Sequence, residues 1–116
     1  MADKKKIKAL RSKKLDVIET NAKDGKVNLI QLFDILGNMD ITSVLVEGGS
    51  RLLTSLIKES LIDKLIIFLA PIFLGGSGLS SIGDLFINEL KKAPRFKFQS
   101  IKQAGNDLML EAYFAE

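Results

Sequence analysis

The sequence has no cysteine and no histidine among its 116 residues. Disulfide frameworks, thiolate nucleophiles, zinc-finger patterns and imidazole general bases are thereby excluded, and no metal site is expected. Long apolar runs are missing as well. The longest, residues 65–74, is too short to span a bilayer and is broken by Pro71, so no membrane partner is expected. The start, Met1-Ala2-Asp3-Lys4-Lys5-Lys6, is basic but has no apolar segment behind it. It does not read as a secretory signal, and a cytoplasmic protein is the expectation.

Positive charge is scarce outside one short stretch. The formal net charge is +3, yet residues 1–14 hold seven Lys/Arg against one Asp, while the remainder holds ten Lys/Arg against thirteen Asp/Glu. A nucleic-acid surface would spread basic residues over a face and interleave aromatics. The lysine-rich start reads instead as a solvated helix face, so no nucleic-acid partner is expected. A composition of 47% hydrophobic and 27% charged residues suits a single domain, residues 1–116, with a modest core.

What is present is organised around Val44-Leu45-Val46-Glu47-Gly48-Gly49-Ser50-Arg51-Leu52-Leu53-Thr54-Ser55-Leu56-Ile57. The β-branched opening reads as a buried strand. Gly48-Gly49 allows a tight turn and close backbone approach. Ser50 is the expected N-cap of a helix whose apolar face is Leu52, Leu53, Leu56 and Ile57. Strand, glycine turn and helix start together aim backbone N–H groups and a positive helix end at one point, a seat for a phosphate or other anion. On pattern alone a purely structural turn stands beside that reading, because the stretch is neither G-x-G-x-x-G nor a Walker loop.

In chain order, periodicity predicts a short helix over residues 5–14, a strand over 15–19 and a polar turn over 21–26 centred on Asp24-Gly25. Asn28 caps a second helix with Leu29, Leu32, Phe33 and Leu36 on one face, ending at Gly37-Asn38. A strand over 41–46, the helix over 50–60 and a strand over 64–70 complete a β-α-β-α-β pattern, which predicts three mainly parallel strands with covering helices. Pro71 ends the third strand, and Gly75-Gly76-Ser77-Gly78 makes a loop. Residues 80–90 read as loop with a short helical turn. Period-two alternation from Arg95, turning at Gly105-Asn106-Asp107, predicts a closing antiparallel hairpin.

Three motifs in this order carry a family resemblance: Val44-Leu45-Val46-Glu47-Gly48-Gly49, then Leu61-Ile62-Asp63-Lys64-Leu65, then Leu69-Ala70-Pro71-Ile72-Phe73-Leu74-Gly75-Gly76. With Ala93-Pro94-Arg95-Phe96-Lys97-Phe98 and Gly105-Asn106-Asp107-Leu108, the chain from about Val17 onward resembles the reductase domain of riboflavin biosynthesis, usually the C-terminal half of a bifunctional deaminase–reductase. The resemblance implies a dihydrofolate-reductase-like α/β fold. It also implies a small-molecule substrate, 5-amino-6-(5-phosphoribosylamino)uracil, whose ribosyl group is reduced to the ribityl form with NADPH. Glu47 matches the family's substrate-contacting acidic residue. Gly48, Gly49, Ser50, Arg51, Leu52, Leu53, Thr54 and Ser55 match its cofactor-binding turn and helix start.

No catalytic acid or base is assigned, because hydride chemistry belongs to the cofactor. From the residues themselves, Glu47 has an alternative role, capping the helix that follows. The family's reductase domain is roughly twice this length by the usual size of such domains, so the sequence reads as its C-terminal half. A second, non-catalytic reading keeps only the sheet and an anion or dinucleotide site, acting in assembly. Apolar strands without cover also lead to an expected homodimer, or to pairing with a complementary N-terminal half. The hairpin of residues 95–115 is the first interface and the sheet edge the second.

Overall fold

Helices begin in the first part of this chain where a short polar side chain precedes an apolar periodic run. The structure, a computed structural model, describes residues 3–115. It divides into two compact units, Met1–Leu45 and Val46–Glu116. In the first, Asp3 Oδ1 accepts from the Lys5 N–H at 2.9 Å and starts α1 (Lys4–Arg11). That helix is shorter than its expected span, because the backbone turns beyond Ser12 and Lys14 adopts a φ of 59°. Asp24 and Gly25 both lie in the left-handed region, at φ 53° and 71°, which matches the twist of a two-residue hairpin turn. They join β1 (Ala22–Lys23) to β2 (Lys26–Val27), two short strands that the sequence pattern shows only as a turn.

Asn28 starts α2 (Leu29–Asn38), its Oδ1 accepting from the Gln31 N–H at 3.1 Å, as expected. Leu29, Leu32, Phe33 and Leu36 are half-buried, the face that the periodicity names. Gln31 in turn accepts from the Asn21 N–H at 2.7 Å, fixing the turn before the helix.

The second unit holds α3 (Ser50–Lys58) and a three-stranded sheet of β3 (Lys64–Leu69), β4 (Phe96–Ala104) and β5 (Asp107–Phe114), in the order β3-β5-β4. Its most buried side chains are Thr54, Leu56 and Ile57 on α3 and Ala112 on β5. Ala112 is small because its neighbours are large: it lies between Leu65 of β3 and Phe98 of β4. The same register sets Ile67 and Ile101 on either side of Leu110. One sheet face is therefore continuously apolar, and Phe96 packs edge-on to Phe98 at 5.5 Å between ring centroids. The β4–β5 turn uses Gly105 at φ 65°, the first-position glycine that a tight hairpin favours. A bulge between Phe98 and Ser100 adds one residue to β4.

The hairpin of residues 95–115 forms as expected, but the parallel pairing does not. Every strand pair among the described residues is antiparallel. Residues 15–19 and 41–46 form no strand ladder. A buried parallel strand needs a neighbour on its edge, and neither segment has one among the described residues. β3 instead pairs with β5, where Leu65, Ile67 and Leu69 lie opposite Ala112, Leu110 and Leu108. Residues 80–89 hold no helix; a single helical turn begins at the end of the expected stretch, at Leu90–Lys92.

Candidate functional site

The glycine turn delivers the chain into α3 without a side-chain cap. Gly49, not Ser50, is the capping residue, with φ −70° and ψ 168°, and it makes no side-chain capping bond. Ser50 is already helical, so its hydroxyl is one position too late for that role. The Leu52 and Leu53 N–H groups reach the Gly49 carbonyl at 3.0 and 3.3 Å. The Ser50 and Arg51 N–H groups find no acceptor among the described residues.

The outer side of the turn is open at Gly49. A side-chain carbon at Gly49 would touch nothing within 4 Å, whereas one at Gly48 would meet Leu52 Cδ2 at 2.9 Å. Gly48 thus lets the turn close down on the first helical turn, and Gly49 leaves its outer side clear. The first turn of α3 contains no acidic residue. Free amides, open space and a positive helix end fit a phosphate or pyrophosphate.

Glu47 lies exposed two residues before the cap and does not cap α3, so the capping alternative is not realised. Arg51 and Leu52 are exposed, while Leu53 and Ser55 are half-buried. Ser55 Oγ donates to the Arg51 carbonyl at 2.9 Å. Thr54 is buried, and its hydroxyl is engaged twice: Oγ1 donates to the Ser50 carbonyl at 2.5 Å and accepts from the Gly83 N–H at 2.7 Å. One helical turn on, Lys58 Nζ lies 4.6 Å from the centre of the Phe86 ring. Sequence reasoning misses both contacts. The one available signal is a β-branched hydroxyl residue four positions after Ser50 on an otherwise apolar face.

No cluster among the described residues could hold a metal ion, and no described helix is long and apolar enough to cross a membrane. A hollow in the first unit, lined by Arg11, Leu15, Val17, Ile18, Ile35 and Met39 among others, contains none of the expected site residues.

The family model described as RibD C-terminal domain matches residues 1–110. The riboflavin biosynthesis protein RibD of Actinobacillus pleuropneumoniae is 32% identical over 110 residues, covering 94% of this chain and 29% of that protein. RibD of Escherichia coli K12 is 38% identical over 88 residues, 74% of this chain and 23% of that protein. A 5-amino-6-(5-phosphoribosylamino)uracil reductase of Buchnera aphidicola is 35% identical over 85 residues, 73% of this chain and 41% of that protein. The chain thus spans well under half the length of each of these relatives. Among solved structures, Acinetobacter baumannii RibD superposes with a TM-score of 0.71 at 26% identity, over 78% of this chain and 27% of that one. A structure from Shewanella sp. PV-4 shares the fold, with a TM-score of 0.66 at 18% identity over 97% of this chain and 71% of that one. The fold is α/β of the dihydrofolate-reductase-like class, and the chain belongs to the RibD C-terminal domain family.

Proposed function

We propose that this chain contributes to an NADPH-dependent reductase that converts the ribosyl group of 5-amino-6-(5-phosphoribosylamino)uracil to the ribityl form. The observation that carries the reading is the uncapped start of α3, with the Ser50 and Arg51 amides lacking acceptors, in a member of the RibD C-terminal domain family. The uncapped turn fits an anionic group: Gly48, Gly49 and Ser50 would hold the cofactor's pyrophosphate, with Arg51 to Ser55 forming the helix that follows. When bound, the cofactor supplies the hydride for the carbonyl carbon of the opened sugar. Glu47, unengaged in capping and exposed beside the turn, accepts hydrogen bonds from substrate hydroxyls and so orients the sugar.

The 116 residues act as one functional domain in this reading. The apolar sheet face carrying Phe96, Phe98 and Ile101, all exposed, supports a two-fold dimer through residues 95–115. A monomer in sedimentation equilibrium at micromolar concentration would overturn that assembly.

The test of function is Glu47→Gln, assayed by oxidation of NADPH in the presence of substrate. Turnover is expected to fall by about tenfold or more, while NADPH affinity and thermal stability stay at the wild-type level. Normal turnover with lost stability would return Glu47 to a structural role and remove the substrate assignment.

A further inference from the structure

Two residues of the stripe of α3 that carries Ser50, Thr54 and Lys58 meet one loop. These residues are spaced by four and line one side of the helix. Gly83 meets Thr54 and Phe86 meets Lys58. From Gly83 to Phe86 the loop therefore runs alongside the helix in the same direction. Just before Gly83, the Ser80 hydroxyl donates to the Ile82 carbonyl, a local bond that holds the bend.

Thr54 is the joint of this arrangement. Its hydroxyl spends its proton on the Ser50 carbonyl and receives the Gly83 N–H, so one buried oxygen links the opening residue of α3 to the loop. Gly83 is fitted to that oxygen, because a side-chain carbon there would lie 3.1 Å from Thr54 Oγ1. With its proton spent, one lone pair taken and the residue buried, the hydroxyl is turned into the fold rather than offered to a ligand.

We propose that Thr54 is a positioning residue, whose hydroxyl clasps the loop at Gly83 onto α3 and, through its bond to the Ser50 carbonyl, ties that loop to the cofactor seat at Gly49 and Ser50. The proposal rests on the cofactor reading above, and its role is to shape the seat through Gly83 rather than to touch the cofactor.

The experiment uses the full chain and two substitutions of Thr54. Thr54→Val keeps the shape and removes the hydroxyl; Thr54→Ser keeps the hydroxyl. Amide hydrogen exchange at Gly83 is measured without cofactor, and NADPH affinity by titration. In Thr54→Val, exchange at Gly83 is expected to rise about tenfold, the scale of one lost hydrogen bond, with protection elsewhere on α3 retained. NADPH binding is expected to weaken by about fivefold or more, appearing in KM rather than kcat. Thr54→Ser restores both.

Unchanged exchange at Gly83 in Thr54→Val would show that no clasp exists. Faster exchange with wild-type NADPH affinity would make Thr54 structural only and overturn the positioning role. A wild-type chain that does not bind NADPH would sink the cofactor reading, while exchange at Gly83 would still decide the clasp. If Thr54→Val fails to fold, Gly83→Ala presses on the clasp from the loop side and carries the same expected and contrary outcomes.

Discussion

Helices α2 and α3 each follow a turn and each presents an apolar face, yet they start differently. α2 is closed by Asn28, whose side chain takes up the Gln31 N–H. α3 opens at Gly49, which has no side chain to offer, and its Ser50 and Arg51 amides have no acceptor among the described residues. A side-chain cap at an N-terminus is worth about 1 kcal/mol of stability, and a glycine there forgoes only a few tenths of it. One start is closed by its own side chain and the other is left without a side-chain cap.

The larger effect on stability is expected at the closed start. Asn28→Ala should lower unfolding free energy by about 1 kcal/mol, read by denaturant titration, with NADPH binding unaltered. If the loss were negligible, the contrast between the two starts would carry no energetic meaning.

A smaller effect sharpens the contrast with a polar pair that is already satisfied. Lys64 Nζ and Glu111 Oε1 lie 2.5 Å apart across β3 and β5. The hydrogen bond from Lys64 holds the Glu111 carboxyl below its ordinary value of 4.5, with Ser100 and Lys102 adding to the effect. The same bond raises Lys64 above 10.5. A lowered acid stabilises the fold above its unfolded pKa and loses that contribution as pH falls through the folded one; a raised base does the reverse on the alkaline side. The pair's contribution should therefore be full between 4.5 and 10.5 and fade beyond both limits. Glu111→Gln should flatten the acid limb of a stability–pH curve by a small amount, since the lysine is partly exposed. An acid limb identical to wild type would remove the pair as its source.

Local patterns made part of this molecule legible in the sequence. The hairpin was readable because alternation along residues 95–115 and a glycine at the turn are both short-range signals. The second and third helices were readable from one apolar face each, and Asn28 from its place just before the run. The cap of α3 fell one residue earlier than Ser50, within the usual uncertainty of helix ends. The parallel strands were not readable. Residues 15–19 and 41–46 have strand-like composition, but a ladder is a property of two segments, and a period-two or apolar run does not name its partner. The site divides in the same way. Its glycine turn is local and visible, whereas the Thr54–Gly83 bond joins residues 29 apart in sequence and has no local signature.

The central claim is that the open start of α3 receives the anionic part of the cofactor. Gly49→Asp tests it most directly. The capping backbone at φ −70° already suits an aspartate, and a side chain there meets no obstacle within 4 Å. The variant should therefore close α3 in the manner of α2, raising stability by a few tenths of a kcal/mol while its carboxylate occupies the anion's place. The measurement is calorimetric titration with NADPH, beside thermal unfolding of the same sample. The account predicts a slightly more stable protein whose NADPH affinity has dropped by about tenfold or more. A variant of equal or greater stability that binds NADPH as tightly as the wild type would contradict it.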